Sequence, residues 1–229
     1  MRFAYSIKQK MKIAVLLFCI MACTILIRFL EDKSVKSMNK SFVSLYNDRL
    51  VPATDLFYIA AYVDKKRSLL EESLYAPAAR PINEMDLRKK LSRINLSIDS
   101  LIKDYEKTFF VKQEKQKMTE LKAWLKGHIA TENKLLNVIT SQGPDQARVV
   151  YDTFGRNAPG EIIQKLSELM RIQRQVGEEL TKDTAFMVSG NKVYSSFQLG
   201  LAILIGILIV GIVFTSNVVK ISDEKFNLN

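Results

Sequence analysis

The chain has 229 residues and a net charge of +10, with only 9 glycines and 5 prolines. So few breaks predict long elements, and at this composition long elements are helices. Outside its termini the chain intersperses both charge signs, which is typical of a solvated helical surface and argues against nucleic-acid binding.

The first apolar segment covers residues 13–30 and follows the cations Arg2, Lys8, Lys10 and Lys12. At the helical rise it spans about 27 Å, which is close to the thickness of the bilayer's hydrocarbon core. We predict a cytoplasmic N-terminus over residues 1–12 and a transmembrane helix over residues 13–30, because flanking cations favour the cytoplasmic side.

Both cysteines, Cys19 and Cys23, lie in this segment, so the central domain has no disulfide and no thiolate metal site. Residues 20–23 loosely fit a lipidation pattern, which would make Cys23 the modified residue. The chain stays apolar after Cys23 and offers no small residues for cleavage, which favours an uncleaved anchor. Lipidation at Cys23 and simple cleavage remain the two alternatives.

The central region, residues 31–196, contains four stripes of core-facing residues at alternating spacings of three and four. This spacing predicts four amphipathic helices that pack at small crossing angles. The stripes are Met38, Phe42, Leu45, Arg49, Pro52, Leu56, Ile59, Val63, Leu70 and Leu74; Leu87, Leu91, Ile94, Ile98, Leu101 and Tyr105; Met118, Leu121, Leu125, His128, Glu132, Leu135 and Ile139; and Ile162, Leu166, Leu169, Ile172, Val176, Leu180 and Met187.

We therefore predict an all-α, up-down-up-down four-helix bundle whose first and fourth helices continue into the two apolar segments. Ala76–Pro81 is predicted as a loop, and Asn83 as the cap of the second helix. The connection Thr108–Phe110 should close one end of the bundle with both phenylalanine rings. Asp145–Phe154 is predicted as a short extra helix and Gly155–Gly160 as a loop.

The second apolar segment, residues 197–219, is predicted as transmembrane helix 2, followed by a short cytoplasmic tail over residues 220–229. Ala202 and Gly206 lie on one face of this segment, and Gly211 is slightly offset. Small residues let helices approach closely, so this face should pack against the first membrane helix or a second subunit.

Tyr46, Asp48, Arg49, Leu50 and Pro52 form a run that closely follows the first apolar segment. The run resembles the Tyr-x-Asp-Arg-(Leu/Val)-x-Pro motif in the four-helix-bundle sensory domain of methyl-accepting chemotaxis receptors. Over about residues 10–217, the resemblance implies a periplasmic sensory domain, a homodimer and a location in the bacterial inner membrane.

Receptors of that family continue into a HAMP linker and a cytoplasmic coiled coil, which the sequence up to Asn229 does not show. We therefore expect output through a separate signalling protein, and a truncated or split receptor is a further possibility. The main hypothesis is a sensor that binds a small-molecule ligand or partner and passes a conformational signal across the membrane. The alternative is a membrane-anchored structural or adaptor subunit of an envelope complex.

Arg49 lies on a core-facing stripe, where a buried guanidinium needs a partner. Together with Tyr46, Asp48, Pro52 and Asp55 it is a candidate ligand or dimer contact. The alternative is an internal ion pair between Arg49 and Asp48, Asp55 or an acid of the fourth helix. Pro52 interrupts the stripe, either as a signalling hinge or only as a shape-giving kink.

His128 and Glu132 are four residues apart and can face one point, although the chain has only one histidine for a metal site. We expect a polar pair at the stripe edge and no metal or cofactor. Trp124 is expected to pack against the bundle. The sequence shows no catalytic constellation, so we predict no enzymatic activity.

Overall fold

The computed structural model describes residues 2–75 and 83–218, with side chains from residue 12 to residue 211. All described elements are helical, which confirms the all-α prediction for this part of the chain. They are α1 (Arg2–Leu45), a first π-helical segment (Tyr46–Leu50), α2 (Val51–Tyr75), α3 (Glu84–Tyr105), α4 (Lys112–Gln142), α5 (Pro144–Val150), a second π-helical segment (Tyr151–Gly155) and α6 (Ala158–Val218). The predicted Ala76–Pro81 loop and 220–229 tail lie outside the described residues.

The chain divides into two units. The bundle unit is Phe42–Thr181, and the apolar unit combines Met1–Ser41 with Lys182–Asn229. The most apolar 18-residue windows of the two long helices are only 11% and 0% buried, unlike a core helix of a soluble protein. By length and composition, both helices could therefore cross a membrane.

The bundle unit has one main hydrophobic cluster, to which α2, α3, α4 and α6 all contribute. Its buried members repeat at the predicted three- and four-residue spacing, because each helix turns one stripe toward the shared core. They are Leu56, Ile59, Val63, Ile94, Ile98, Ile102, Tyr105, Met118, Leu121, Leu125, Ile162, Leu166 and Leu169. Ile102, four residues after Ile98, occupies the core position that was predicted for Leu101.

A second cluster covers the other end of the bundle unit, where α5 and the second π-helical segment pack. Its buried members are Leu70, Leu74, Leu87, Leu91, Leu135, Leu136, Ile139, Ala147 and Tyr151. All seven predicted residues of the third stripe are buried, including His128 and Glu132. The predicted short extra helix is confirmed as α5 followed by the π-helical segment.

The helix ends follow local chemistry. Asn83 Oδ1 accepts a hydrogen bond from the Asp86 amide at 3.0 Å, which confirms the predicted cap. Gly143 ends α4 with φ of 88°, a conformation that favours glycine. The loop predicted over Gly155–Gly160 is shorter than expected: only Arg156 and Asn157 are non-helical, because α6 begins at Ala158. Pro159 lies in its first turn, where proline's missing amide is tolerated.

The prediction that two phenylalanine rings close the bundle end was half wrong. Phe110 packs on Tyr105, with ring centroids 5.5 Å apart, but the Phe109 side chain is 71% exposed. The Phe109 backbone is bound on both sides, since its amide donates to Asp48 Oδ1 and its carbonyl accepts from Arg49. These inward backbone contacts leave the Phe109 ring in solvent.

Candidate functional site

A π-helical turn positions Arg49. The amide of Val51 bonds to the carbonyl of Tyr46, five residues earlier. Pro52 follows directly, and proline cannot donate to the helical ladder and crowds the carbonyl four residues before it. The wider π turn accommodates both the missing donor and the crowding. Such turns are common at functional sites. Pro52 is buried in the first turn of α2, directly after the π turn, and its role as a signalling hinge or a shape-giving kink stays a prediction.

Arg49 is buried at the centre of a polar network in the bundle unit. Its Nη1 donates to Glu114 Oε2 and to Gln173 Oε1, both at 3.1 Å. Its Nη2 donates to the Phe109 carbonyl at 3.1 Å. One guanidinium thus joins the first π-helical segment to the start of α4 and to α6.

Glu114 is the acceptor at which the network converges, and its side chain is 0% exposed. Besides Arg49, its oxygens accept from the Tyr105 hydroxyl and Gln173 Nε2, both at 2.6 Å, and from the Val111 amide at 3.2 Å. Glu114 lies in the first turn of α4, where the helix dipole favours a carboxylate. Burial, and then the Glu114 carboxylate, raise the pKa of Tyr105, so its hydroxyl remains a donor.

Sequence reasoning foresaw an internal ion pair for Arg49 but named the wrong partners. Asp48 instead accepts from the Ser44 hydroxyl at 2.7 Å and from the Phe109 amide. Asp55 is only partly buried, and this burial, followed by the charge of Asp104, raises the pKa of its carboxyl. The true acid, Glu114, is on the third bundle helix, not on the fourth.

A cleft of about 570 Å³ borders this network, and we call it the Arg49 cleft. Its floor includes Arg49 and Gln173, and most of its remaining lining is apolar. Phe42, Tyr46 and Leu50 line it with largely exposed side chains. The first stripe therefore becomes core only from Arg49 onward, and the predicted core residue Phe42 is on the surface.

The model of the family described as four helix bundle sensory module for signal transduction matches residues 4–188. The chain belongs to this family. No curated protein matches the sequence. The match includes the first apolar segment and every residue of the Arg49 network, so the resemblance noted from the Tyr46–Pro52 run is confirmed.

The sensory module contains a second buried polar cluster, formed by α2, α3 and α4. Lys66 Nζ lies 2.5 Å from Glu132 Oε1 and donates to Asn95 Oδ1 at 2.6 Å. His128 Nδ1 lies 2.8 Å from Glu132 Oε1 and 3.4 Å from Lys66 Nζ. Asn95 Nδ2 donates to Glu132 Oε2 at 3.2 Å.

Electrostatics in this second cluster favour an ionised carboxylate. Burial works to raise the pKa of Glu132, but the His128 hydrogen bond and the Lys66 charge outweigh it and hold the pKa below 4.5. Burial lowers the pKa of Lys66 below 10.5, against the opposing pull of Glu132. The expected stripe-edge pair is therefore a buried triad, because Lys66 extends from α2 to join it.

Sequence reasoning missed Lys66, although it lies three residues after Val63 and four before Leu70 on the same stripe. It also placed Trp124 in the packing, whereas the structure leaves Trp124 42% exposed beside a second cleft. Within the described residues, no group of three His, Cys, Asp or Glu side chains could hold a metal ion.

In the apolar unit, a side chain added at Gly206 would meet nothing within 4 Å. The helix face that carries the small residues Ala202, Gly206 and Gly211 therefore has room for a neighbouring helix at Gly206. Its packing partner stays a prediction.

Proposed function

We propose that the chain is a membrane-anchored sensor whose bundle unit binds a small molecule or partner outside the cell and signals across the inner membrane. Both apolar helices would span the bilayer, the N-terminus would be cytoplasmic, and the bundle would have up-down-up-down topology. The family match and the two exposed apolar windows support this arrangement.

The observation that carries the proposal is the hydrogen bond between Arg49 and Gln173. Arg49 follows α1, which contains the first apolar segment, and Gln173 belongs to α6, which contains the second. A ligand that prefers one arrangement of these two helices would shift the equilibrium toward that arrangement, and this buried contact would transmit the change from one helix to the other. The signal would be a small shift of α6, because packed interfaces switch between discrete arrangements.

We further propose that the sensor is a homodimer. Four large apolar side chains are exposed at spacings of four, four and seven along one side of the chain and form an unpartnered apolar surface: Phe42, Tyr46, Leu50 and Phe57. A second copy would cover this surface with the same residues, as a two-fold interface requires.

Leu50→Glu tests the dimer, with Leu96→Glu as the matched control because Leu96 is a similarly exposed leucine on α3. Light scattering of the detergent-solubilised full chain should show monomers for Leu50→Glu and dimers for wild type and Leu96→Glu. Dimers in all three proteins would overturn this interface.

The sensory role is tested by crosslinking in native membranes and identifying what co-purifies with the full chain. A sensor should bring signalling proteins, such as a kinase or a receptor output domain. A single abundant envelope complex in constant proportion would instead support the adaptor function.

A further inference from the structure

A second surface cleft, of about 380 Å³, lies between α4 and the chain that leads into α6. Its lining includes Trp124, Gly127, His128 and Thr131 of α4, and Phe154 of the second π-helical segment. We call it the Trp124 cleft. Its volume falls in the range of small-molecule sites, which combine apolar walls with a few polar groups.

The walls of this cleft fit a flat ring. Trp124 is 42% exposed and Phe154 is 63% exposed, although both are large aromatic side chains. Between them, Gly127 leaves the surface of α4 bare, and a Cβ added there would meet nothing within 4 Å. Aromatic rings prefer stacked or edge-on contact with other rings, which an inserted aromatic ligand would supply.

The polar lining groups of the cleft are acceptors. The Glu132 carboxylate, held ionised by its low pKa, lies 2.8 Å from His128 Nδ1, and we assign the ring proton to Nδ1 because this atom faces the carboxylate. This tautomer leaves a lone pair on Nε2. The Thr131 hydroxyl donates to the Gly127 carbonyl at 3.2 Å, which leaves its own lone pairs to accept.

Charge around the cleft disfavours a cationic ligand. Lys134 Nζ already lies 5.3 Å from the centre of the Phe154 ring, in a cation–π contact. Lys66 is adjacent to His128 on its core side, and its charge is matched by Glu132. A second cation would meet the Lys134 ammonium.

We propose that the Trp124 cleft binds a small neutral aromatic molecule that carries an O–H or N–H donor, of the size of phenol or indole. The ring packs with Trp124 and Phe154, and the donor bonds to His128 Nε2 or to the Thr131 hydroxyl. The site rests on the proposed sensory function and names its ligand class. Through His128, it connects to Lys66 on α2 and Asn95 on α3.

Trp124 is the only tryptophan of the chain, so its fluorescence reports on the cleft directly. The full chain in detergent is titrated with phenol and with anisole, whose methyl group removes the donor, under excitation selective for tryptophan. Phenol should change the Trp124 emission saturably. Anisole should bind about five- to tenfold more weakly, the loss expected for one hydrogen bond.

Gly127→Leu fills the cleft and replaces a helix-interior glycine, so the variant should fold and lose the phenol response. Gly190→Leu is the matched control, because a Cβ there also meets nothing within 4 Å and Gly190 does not line the cleft. The control should respond as wild type does, which also corrects for phenol that partitions into the micelle.

An equal phenol response in Gly127→Leu and wild type would overturn the site. Equal affinities of wild type for phenol and anisole would overturn the donor assignment, and that comparison needs no variant. Failure of the site is distinguishable from failure of the sensory role. A chain that co-purifies with signalling proteins but does not respond to phenol remains a sensor without this ligand.

Discussion

The substitution Glu114→Gln tests the buried Arg49 network, because it keeps the side-chain volume and removes the charge. Four donors converge on the two carboxylate oxygens, and an amide replaces one oxygen with an NH2 group. At least one pair of donors then faces another donor, and the Arg49 charge stays buried without a counter-ion. Breaking a buried ion pair in this way costs about 3–5 kcal/mol of unfolding free energy.

Three further variants make the measurement specific. Glu161→Gln is the same chemical change at an exposed glutamate in the first turn of α6, and it should cost at most about 0.5 kcal/mol. Arg49→Met is measured alone and combined with Glu114→Gln, and the combination removes the unpaired charge. The double variant should therefore be more stable than the sum of the two single effects by about 1–3 kcal/mol.

The assay is unfolding of the full chain in detergent, followed by its helical circular dichroism. Glu161→Gln should be nearly as stable as wild type. The double variant should be less stable than wild type, but more stable than the sum of the two single losses predicts. The reasoning is refuted if Glu114→Gln behaves like Glu161→Gln, or if the Arg49 and Glu114 effects are simply additive.

Three other predictions concern the bundle unit and use the same unfolding assay. Burial lowers the pKa of Lys66 below 10.5 in the folded protein, so the unfolded chain binds that proton more tightly. The free energy of unfolding should therefore rise with pH between the folded pKa of Lys66 and 10.5. Lys66→Met should lack this rise when it is compared with wild type across alkaline pH. Gly155→Ala should cost about 1–3 kcal/mol, because its Cβ would lie 2.7 Å from Cδ2 of Tyr151, whereas Gly127→Ala should stabilise by about 1 kcal/mol; equal effects would contradict both. Gly143→Ala should cost about 1 kcal/mol because of its φ of 88°, and an unchanged midpoint would contradict that strain.

Stripe spacing predicted the helices well, because burial in a bundle repeats with the helical turn. The third stripe is right at every position, from Met118 to Ile139. The second stripe failed only at Leu101, since after Ile98 a step of three or four is equally helical and packing decides in favour of Ile102.

The network partners were predictable in part. Glu114 lies four residues before Met118 and therefore extends the third stripe. Gln173 lies four residues after Leu169, next to Ile172 of the fourth stripe. A polar residue at such a position is the signal of a buried network. Which acid meets Arg49 depends on how helices far apart in sequence are aligned, and stripe spacing carries no such information.

The clefts could not be predicted from spacing. Trp124 neighbours a core stripe, and only the position of the second π-helical segment decides that its ring lines a cleft. Phe109 is exposed for a similar reason, because its backbone bonds to Asp48 and Arg49 across the bundle end.

Cysteine accessibility in intact cells tests the central claim, a sensory bundle outside the membrane, most directly. Cys19 and Cys23 are first replaced by serine. Lys89→Cys, at an exposed position of α3, should then react with a membrane-impermeant maleimide before lysis. Lys8→Cys, which precedes the first apolar segment, should react only after lysis. Labelling of Lys8→Cys but not Lys89→Cys in intact cells would contradict the account.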